Sequence, residues 1–75
     1  MELGLASKIE AVLFWKAEPV TVDFLAKSLG VSKEEVIKSL TELEVILTNR
    51  GLCLVRKDNE VTLGTHPSLA GIFEN

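Results

Sequence analysis

The stretch Leu29-Gly30-Val31-Ser32-Lys33-Glu34-Glu35-Val36 leaves this chain few folds to choose from. Ser32 followed three residues later by Glu35 is a capping box, in which the serine oxygen accepts from the Glu35 N–H and the glutamate reaches back to the Ser32 N–H. Val31 and Val36 have the spacing of a hydrophobic staple across that same helix start. Gly30, directly after Leu29, suits the left-handed backbone that stops a preceding helix. One helix therefore ends and the next begins across Gly30 to Ser32, the tight turn of a helix-turn-helix.

The flanking residues fill in both helices. Thr21 is placed to cap a helix over about 22–29, with Asp23 in the first turn complementing the positive end of the helix dipole and Val22, Leu25, Ala26 and Leu29 on its buried side. The next helix is expected over about 33–49. Val36, Leu40, Leu43 and Leu47 form its core stripe, and Gly51 is expected to close it after Asn49 and Arg50. Upstream, Leu5, Ile9, Val12 and Leu13 fall on one side of a helix over about 5–16. Pro19 lacks an N–H and pushes Glu18 toward extended backbone, so Lys16 to Val20 ends that helix and supplies a short strand.

Beyond Gly51 the hydrophobic period changes to two. Leu52 and Leu54 alternate against Cys53 and Val55, and Val61 and Leu63 against Thr62, giving strands over about 52–57 and 60–64 joined by a two-residue Asp58-Asn59 turn. Ser68 is expected to cap a short C-terminal segment, 68–74, with Leu69, Ile72 and Phe73. The expected fold is α+β and mostly helical, a winged helix-turn-helix of three helices plus a β-hairpin wing, forming a single domain over 1–75. A chain this short buries only about 60% of the surface it exposes unfolded, so a second subunit or partner adds stability that its own core lacks.

Composition and residue inventory exclude several classes of function. With 47% hydrophobic and 25% charged residues, the chain has the make-up of an ordinary soluble globular domain. Its longest uninterrupted apolar run, Ala11 to Trp15, is far short of the roughly 20 residues needed to cross a bilayer, and its start lacks the basic and apolar regions of a signal peptide. A cytoplasmic location is expected. Cys53, the single cysteine, has no disulfide partner and reads as a reduced strand residue. One histidine, no nucleophile–base spacing and no glycine-rich phosphate loop argue against an enzyme, and His66 beside Pro67 reads as a turn residue. The Glu34-Glu35 and Glu42/Glu44 pairs do not converge on one ion, so no metal or cofactor is expected.

Two binding functions remain. Residues Glu34, Lys38, Thr41, Glu42, Val45 and Asn49 are expected on the outward face of the third helix, with one lysine against two glutamates. A net charge of −3 opposes the counterion-release attraction that DNA binders draw on. A small DNA-binding transcriptional regulator is therefore the second alternative, with Lys33, Lys38, Arg56 and Lys57 as its DNA contacts. The first is protein binding. Five consecutive apolar residues from Ala11 to Trp15 sweep around the whole helix and cannot all face one core. Phe14 and Trp15 are thus interface candidates, together with Val45 and Ile46, which lie outside the core stripe of the third helix. The competing expectation for Phe14 is cover from within the chain, beneath Leu69 to Phe73.

The order and spacing of Ile9 to Phe14 (IEAVLF), Glu18 to Val20 (EPV), Leu25 to Val36 (LAKSLGVSKEEV), Leu40 to Leu43 (LTEL), Arg50 to Val55 (RGLCLV) and Val61 to Pro67 (VTLGTHP) resemble the N-terminal winged-helix domain of the segregation and condensation protein B (ScpB) family. The resemblance implies a non-enzymatic adaptor that pairs with itself as a homodimer. It also implies a grip on the kleisin subunit, segregation and condensation protein A, and through it the SMC heads, in chromosome condensation and segregation. Two features depart from the family pattern: a second winged-helix domain in tandem is usual there, and its glycine-rich aromatic wing tip is Lys57-Asp58-Asn59-Glu60-Val61 here.

Overall fold

In the computed structural model, which describes residues 3–73, Ser32 and Glu35 form the expected reciprocal cap. The Glu35 N–H donates to Ser32 Oγ at 3.1 Å, and the Ser32 N–H donates to Glu35 Oε1 at 3.2 Å. This cap starts helix α3 (Lys33–Ile46). The preceding helix, α2 (Val22–Leu29), is capped by Thr21, whose Oγ1 accepts from the Phe24 N–H at 3.0 Å. It stops at Gly30, which takes the left-handed conformation at φ 68°. The Gly30 and Val31 N–H groups both return to the Ala26 carbonyl, closing the turn on the last turn of α2.

Helix α1 (Leu5–Lys16) ends one residue after its last turn at Ala17, which is left-handed at φ 55° and donates its N–H to the Leu13 carbonyl at 3.1 Å. Pro19 explains the position of this stop. It holds Glu18 extended, so the chain must leave the helix before it, and Ala17 takes the reversing conformation although its Cβ disfavours it. The next residues form β1 (Val20–Thr21), the short strand expected there.

The third helix ends sooner than its pattern indicates, at Ile46 rather than 49. Leu47 stays buried, but Thr48 and Arg50 donate their N–H groups to the Val45 and Leu47 carbonyls in tight turns. Asn49, at φ 64°, supplies the left-handed residue expected of Gly51. Asparagine tolerates that region better than other side-chain-bearing residues. Two side chains also occupy helix-end carbonyls: Thr48 Oγ1 donates to Glu44 O and Arg50 Nε to Ile46 O.

The hairpin consists of β2 (Leu52–Lys57) and β3 (Glu60–Thr65), with Lys57 opposite Glu60 and the expected Asp58-Asn59 turn between them. Strand β1 joins the free side of β3, pairing Val20 with Val61, to give a three-stranded antiparallel sheet in the order β1-β3-β2. The Val22 N–H donates to the Asn59 carbonyl at 3.1 Å, tying the wing tip to the start of α2. After β3 comes a 3-10 turn (Pro67–Leu69) leading into α4 (Ala70–Phe73). His66, not Ser68, caps this turn: its Nδ1 accepts from the Ser68 N–H at 3.2 Å. Residue 74 of the expected C-terminal segment lies outside the described residues.

The core is built where the three long helices meet the sheet. Ile9 and Leu13 of α1, Leu25 of α2, Val36, Leu40 and Leu43 of α3 and Val61 of β3 are its fully buried side chains. Leu5, Val12 and Leu29, expected in the buried stripes, sit half-buried at its margin, while Ala6 is buried instead. The change is a modest rotation of the helix about its axis: α1 turns its Ala6-Ile9-Leu13 side inward, with the small Ala6 at the contact.

Two substitutions test this account at fixed protein concentration. Ser32→Ala removes the cap of α3 and is expected to lower stability by about 1 kcal/mol, a melting-point loss of roughly 4–8 °C. Ala17→Gly relieves the left-handed alanine and is expected to raise stability by about 1 kcal/mol. Thermal unfolding followed by circular dichroism measures both; an unchanged midpoint for Ser32→Ala would mean that the turn, and not the cap, holds the α3 start.

Candidate protein-binding surface

Phe14 and Trp15 are 77% and 76% exposed, although both lie in the middle of the chain's most apolar run. At 100° per residue, the inward side of α1 carries Ala6, Ile9 and Leu13, which leaves Phe14 on one flank and Trp15 nearly opposite the core. Phe14 stands beside the hairpin, at the edge of a hollow of about 250 Å³ whose walls include Ala11, Leu52 and Leu63. Trp15 leans toward α2. There the Lys16 ammonium lies 5.9 Å from the Trp15 ring and 5.2 Å from the Phe24 ring, a cation held by two aromatic rings.

Phe14 is therefore not covered by the C-terminal segment. Leu69 and Phe73 instead line a neighbouring hollow of about 410 Å³, which has Glu10, Leu47, Arg50 and Leu52 among its walls. Phe73 and Ile72 are themselves largely exposed, so the segment extends the apolar surface next to α1.

On α3, Val45 is 69% exposed and Ile46 also faces solvent. The structure adds Ile37, which sequence reasoning passed over. Ile37, Thr41 and Val45 recur every four residues on the side away from the core, a spacing that was available as a signal but was masked by the stronger Val36-Leu40-Leu43-Leu47 stripe. The other residues expected outward on this helix, Glu34, Lys38, Glu42 and, just past its end, Asn49, are exposed as well.

The four cations proposed as DNA contacts do not act as one patch. Lys33 lies 2.8 Å from Asp23 Oδ1, across the turn between α2 and α3. Hydrogen bonding to Asp23, followed by its negative charge, raises the Lys33 ammonium above its ordinary pKa. Arg56 pairs with Glu44 at 3.3 Å, linking the wing to α3. Lys38 and Lys57 remain exposed, with Glu60 opposite Lys57 in the hairpin register. Pairs this exposed add little stability, but each brings a carboxylate beside a cation that a phosphate would otherwise meet.

Cys53 is a free thiol whose Sγ contacts the Thr65 carbonyl at 3.6 Å. Among the described residues no group of His, Cys, Asp and Glu side chains is placed to hold a metal ion, and no helix is long and apolar enough to cross a membrane.

A crystal structure of a dimer of the ScpB N-terminal domain complexed with ScpA peptide has a TM-score of 0.84 to this chain at 25% sequence identity, covering 92% of this chain and 89% of that one. The comparison with curated proteins yields no match. The family model for segregation and condensation complex subunit ScpB matches residues 7–75. With that match spanning nearly the whole chain, and with a winged-helix fold that superposes on the ScpB N-terminal domain, the chain belongs to the ScpB family.

Proposed function

We propose that this chain is a non-enzymatic, cytoplasmic adaptor of a segregation and condensation complex, working as one winged-helix unit. It associates with itself and captures a segment of the kleisin subunit ScpA, which connects it to the SMC heads in chromosome condensation and segregation. Family membership supplies the setting. The structural neighbour, solved as a dimer with ScpA peptide, supports the pair of partners.

The observation in the chain itself that carries the reading is the exposure of Phe14 and Trp15 on a helix whose other side is fully buried. Large aromatic side chains held on rigid helices lose little conformational freedom on binding and serve as anchors in protein interfaces. Val45 and Ile46 extend apolar contact to α3, where a DNA reader would carry polar groups toward base edges.

Sedimentation equilibrium with and without an ScpA-type kleisin peptide tests this function. Dimerisation and peptide capture in the absence of DNA are expected. Low-salt titration with duplex DNA should show weak binding or none; tight, sequence-dependent and steeply salt-dependent binding would replace the adaptor with a transcriptional regulator. Replacing Phe14 and Trp15 together by serine should weaken self-association or peptide capture by about tenfold or more, equivalent to about 1.4 kcal/mol, while leaving helical content unchanged. Loss of helical content in parallel would make them structural residues.

A further inference from the structure

The turn that follows α3 and the turn that follows β3 are clamped together, because the His66 N–H donates to the Gly51 carbonyl at 2.8 Å. Between them lies a hollow of about 350 Å³ lined by Asn49, Arg50, His66 and Ser68, with Leu69 as an apolar wall. The chain carries 11 acidic against 8 basic residues, yet no Asp or Glu of the described residues lines this hollow.

The polar groups around it are fixed by the backbone and keep donors to spare. Arg50 Nε donates to the Ile46 carbonyl at 3.1 Å, which anchors the guanidinium, and no carboxylate of the described residues pairs with its terminal amino groups. His66 Nδ1 accepts from the Ser68 N–H at 3.2 Å, and the Ser68 hydroxyl, 2.9 Å away, donates to the same nitrogen. A ring nitrogen that accepts carries no hydrogen, so the imidazole hydrogen sits on Nε2 as a donor. Asn49, set by its left-handed backbone, adds a carboxamide. The flanking acids stand outside: Glu44 is drawn to Arg56 at 3.3 Å, and Glu10 lines the adjoining hollow without pairing with Arg50.

Fixed N–H donors, one of them charged and none accompanied by an acid, complement an oxyanion. The volume falls at the lower end of the range of small-molecule sites, which leaves space for more than a bare ion. We infer that this hollow binds the phosphate group of a small organic phosphate. Arg50 supplies the charge, Asn49 and His66 Nε2 supply hydrogen bonds, and Leu69 meets the organic part. Ser68 is a positioning residue that holds the His66 ring. A planar carboxylate is satisfied by an arginine fork alone, whereas a phosphate has oxygens for donors that come from separate turns. The phosphates of a nucleic-acid duplex fit poorly, because Glu10 and Glu44 on either flank would meet the neighbouring phosphates of the strand.

Amide NMR titration of the full chain at fixed ionic strength tests this, with phenyl phosphate as the probe and benzoate as the same ring bearing a carboxylate. Saturable shifts confined to residues 49–51 and 66–69 are expected with phenyl phosphate, and binding of benzoate about tenfold weaker or less. Arg50→Gln should weaken phenyl phosphate binding about tenfold or more through loss of a charge-assisted contact. Since Arg50 also closes the end of α3, Asn49→Gly serves as a second variant: glycine takes the same left-handed backbone, so the fold is kept while the carboxamide is lost, and binding should fall about threefold. Circular dichroism checks that both variants fold. Shifts that never saturate, shifts spread over exposed lysines of other elements, an equal response to benzoate, or binding unchanged in Asn49→Gly and in folded Arg50→Gln would each overturn the inference. So would a response seen only with a duplex oligonucleotide and not with phenyl phosphate.

Discussion

Val36, Leu40, Leu43 and Leu47 bury one side of α3 against both other long helices and the hairpin, and the rest of the molecule is arranged around that contact. Ile9 and Leu13 reach it from α1, Leu25 from α2 and Val61 from β3. In so short a chain no other contact could replace it, because a small domain has one modest core and little reserve. The cap at Ser32 and the left-handed Gly30 set where α3 begins, and so aim this stripe at its partners.

That role changes what α3 is for. In a DNA-reading winged helix the third helix offers a polar, cation-bearing face to the major groove. Here the exposed side mixes Glu34 and Glu42 with Lys38, and adds Ile37, Val45 and Ile46. The ion pairs Lys33–Asp23 and Arg56–Glu44 turn two of the available cations toward the protein's own frame. On the proposed reading α3 serves as a strut, and the candidate binding groups are Phe14 and Trp15 of α1, about 100° apart on its exposed surface.

Much of this was legible from local chemistry. The capping box, the Thr21 cap, the Gly30 stop and the Asp58-Asn59 turn each depend on residues within a few positions of one another, so short-range sequence rules reached them. The end of α3 did not yield to the same rules. Asn49 and Gly51 both accept left-handed backbone, and it is Asn49 that takes it, in the tight turns that follow the buried Leu47. His66 beside Pro67 is a turn residue by sequence, and its capping of the C-terminal turn depends on a side-chain nitrogen whose direction the sequence does not specify.

The candidate surface divides in the same way. That five consecutive apolar residues cannot share one core is a consequence of helical period, and it marked Phe14 and Trp15 before any fold was known. Which ring faces which neighbour was decided by tertiary structure alone. The hairpin returns to α1 from some forty residues away, bringing Leu52 and Leu63 beside Phe14, and the C-terminal turn brings Arg50's hollow up to Glu10. By itself the sequence determined the helices, their caps and the excess of apolar groups on α1, because those are set by short-range sterics and hydrogen bonding. The surface those groups form was decided only in the folded chain, because it joins residues whose proximity depends on how the core packs.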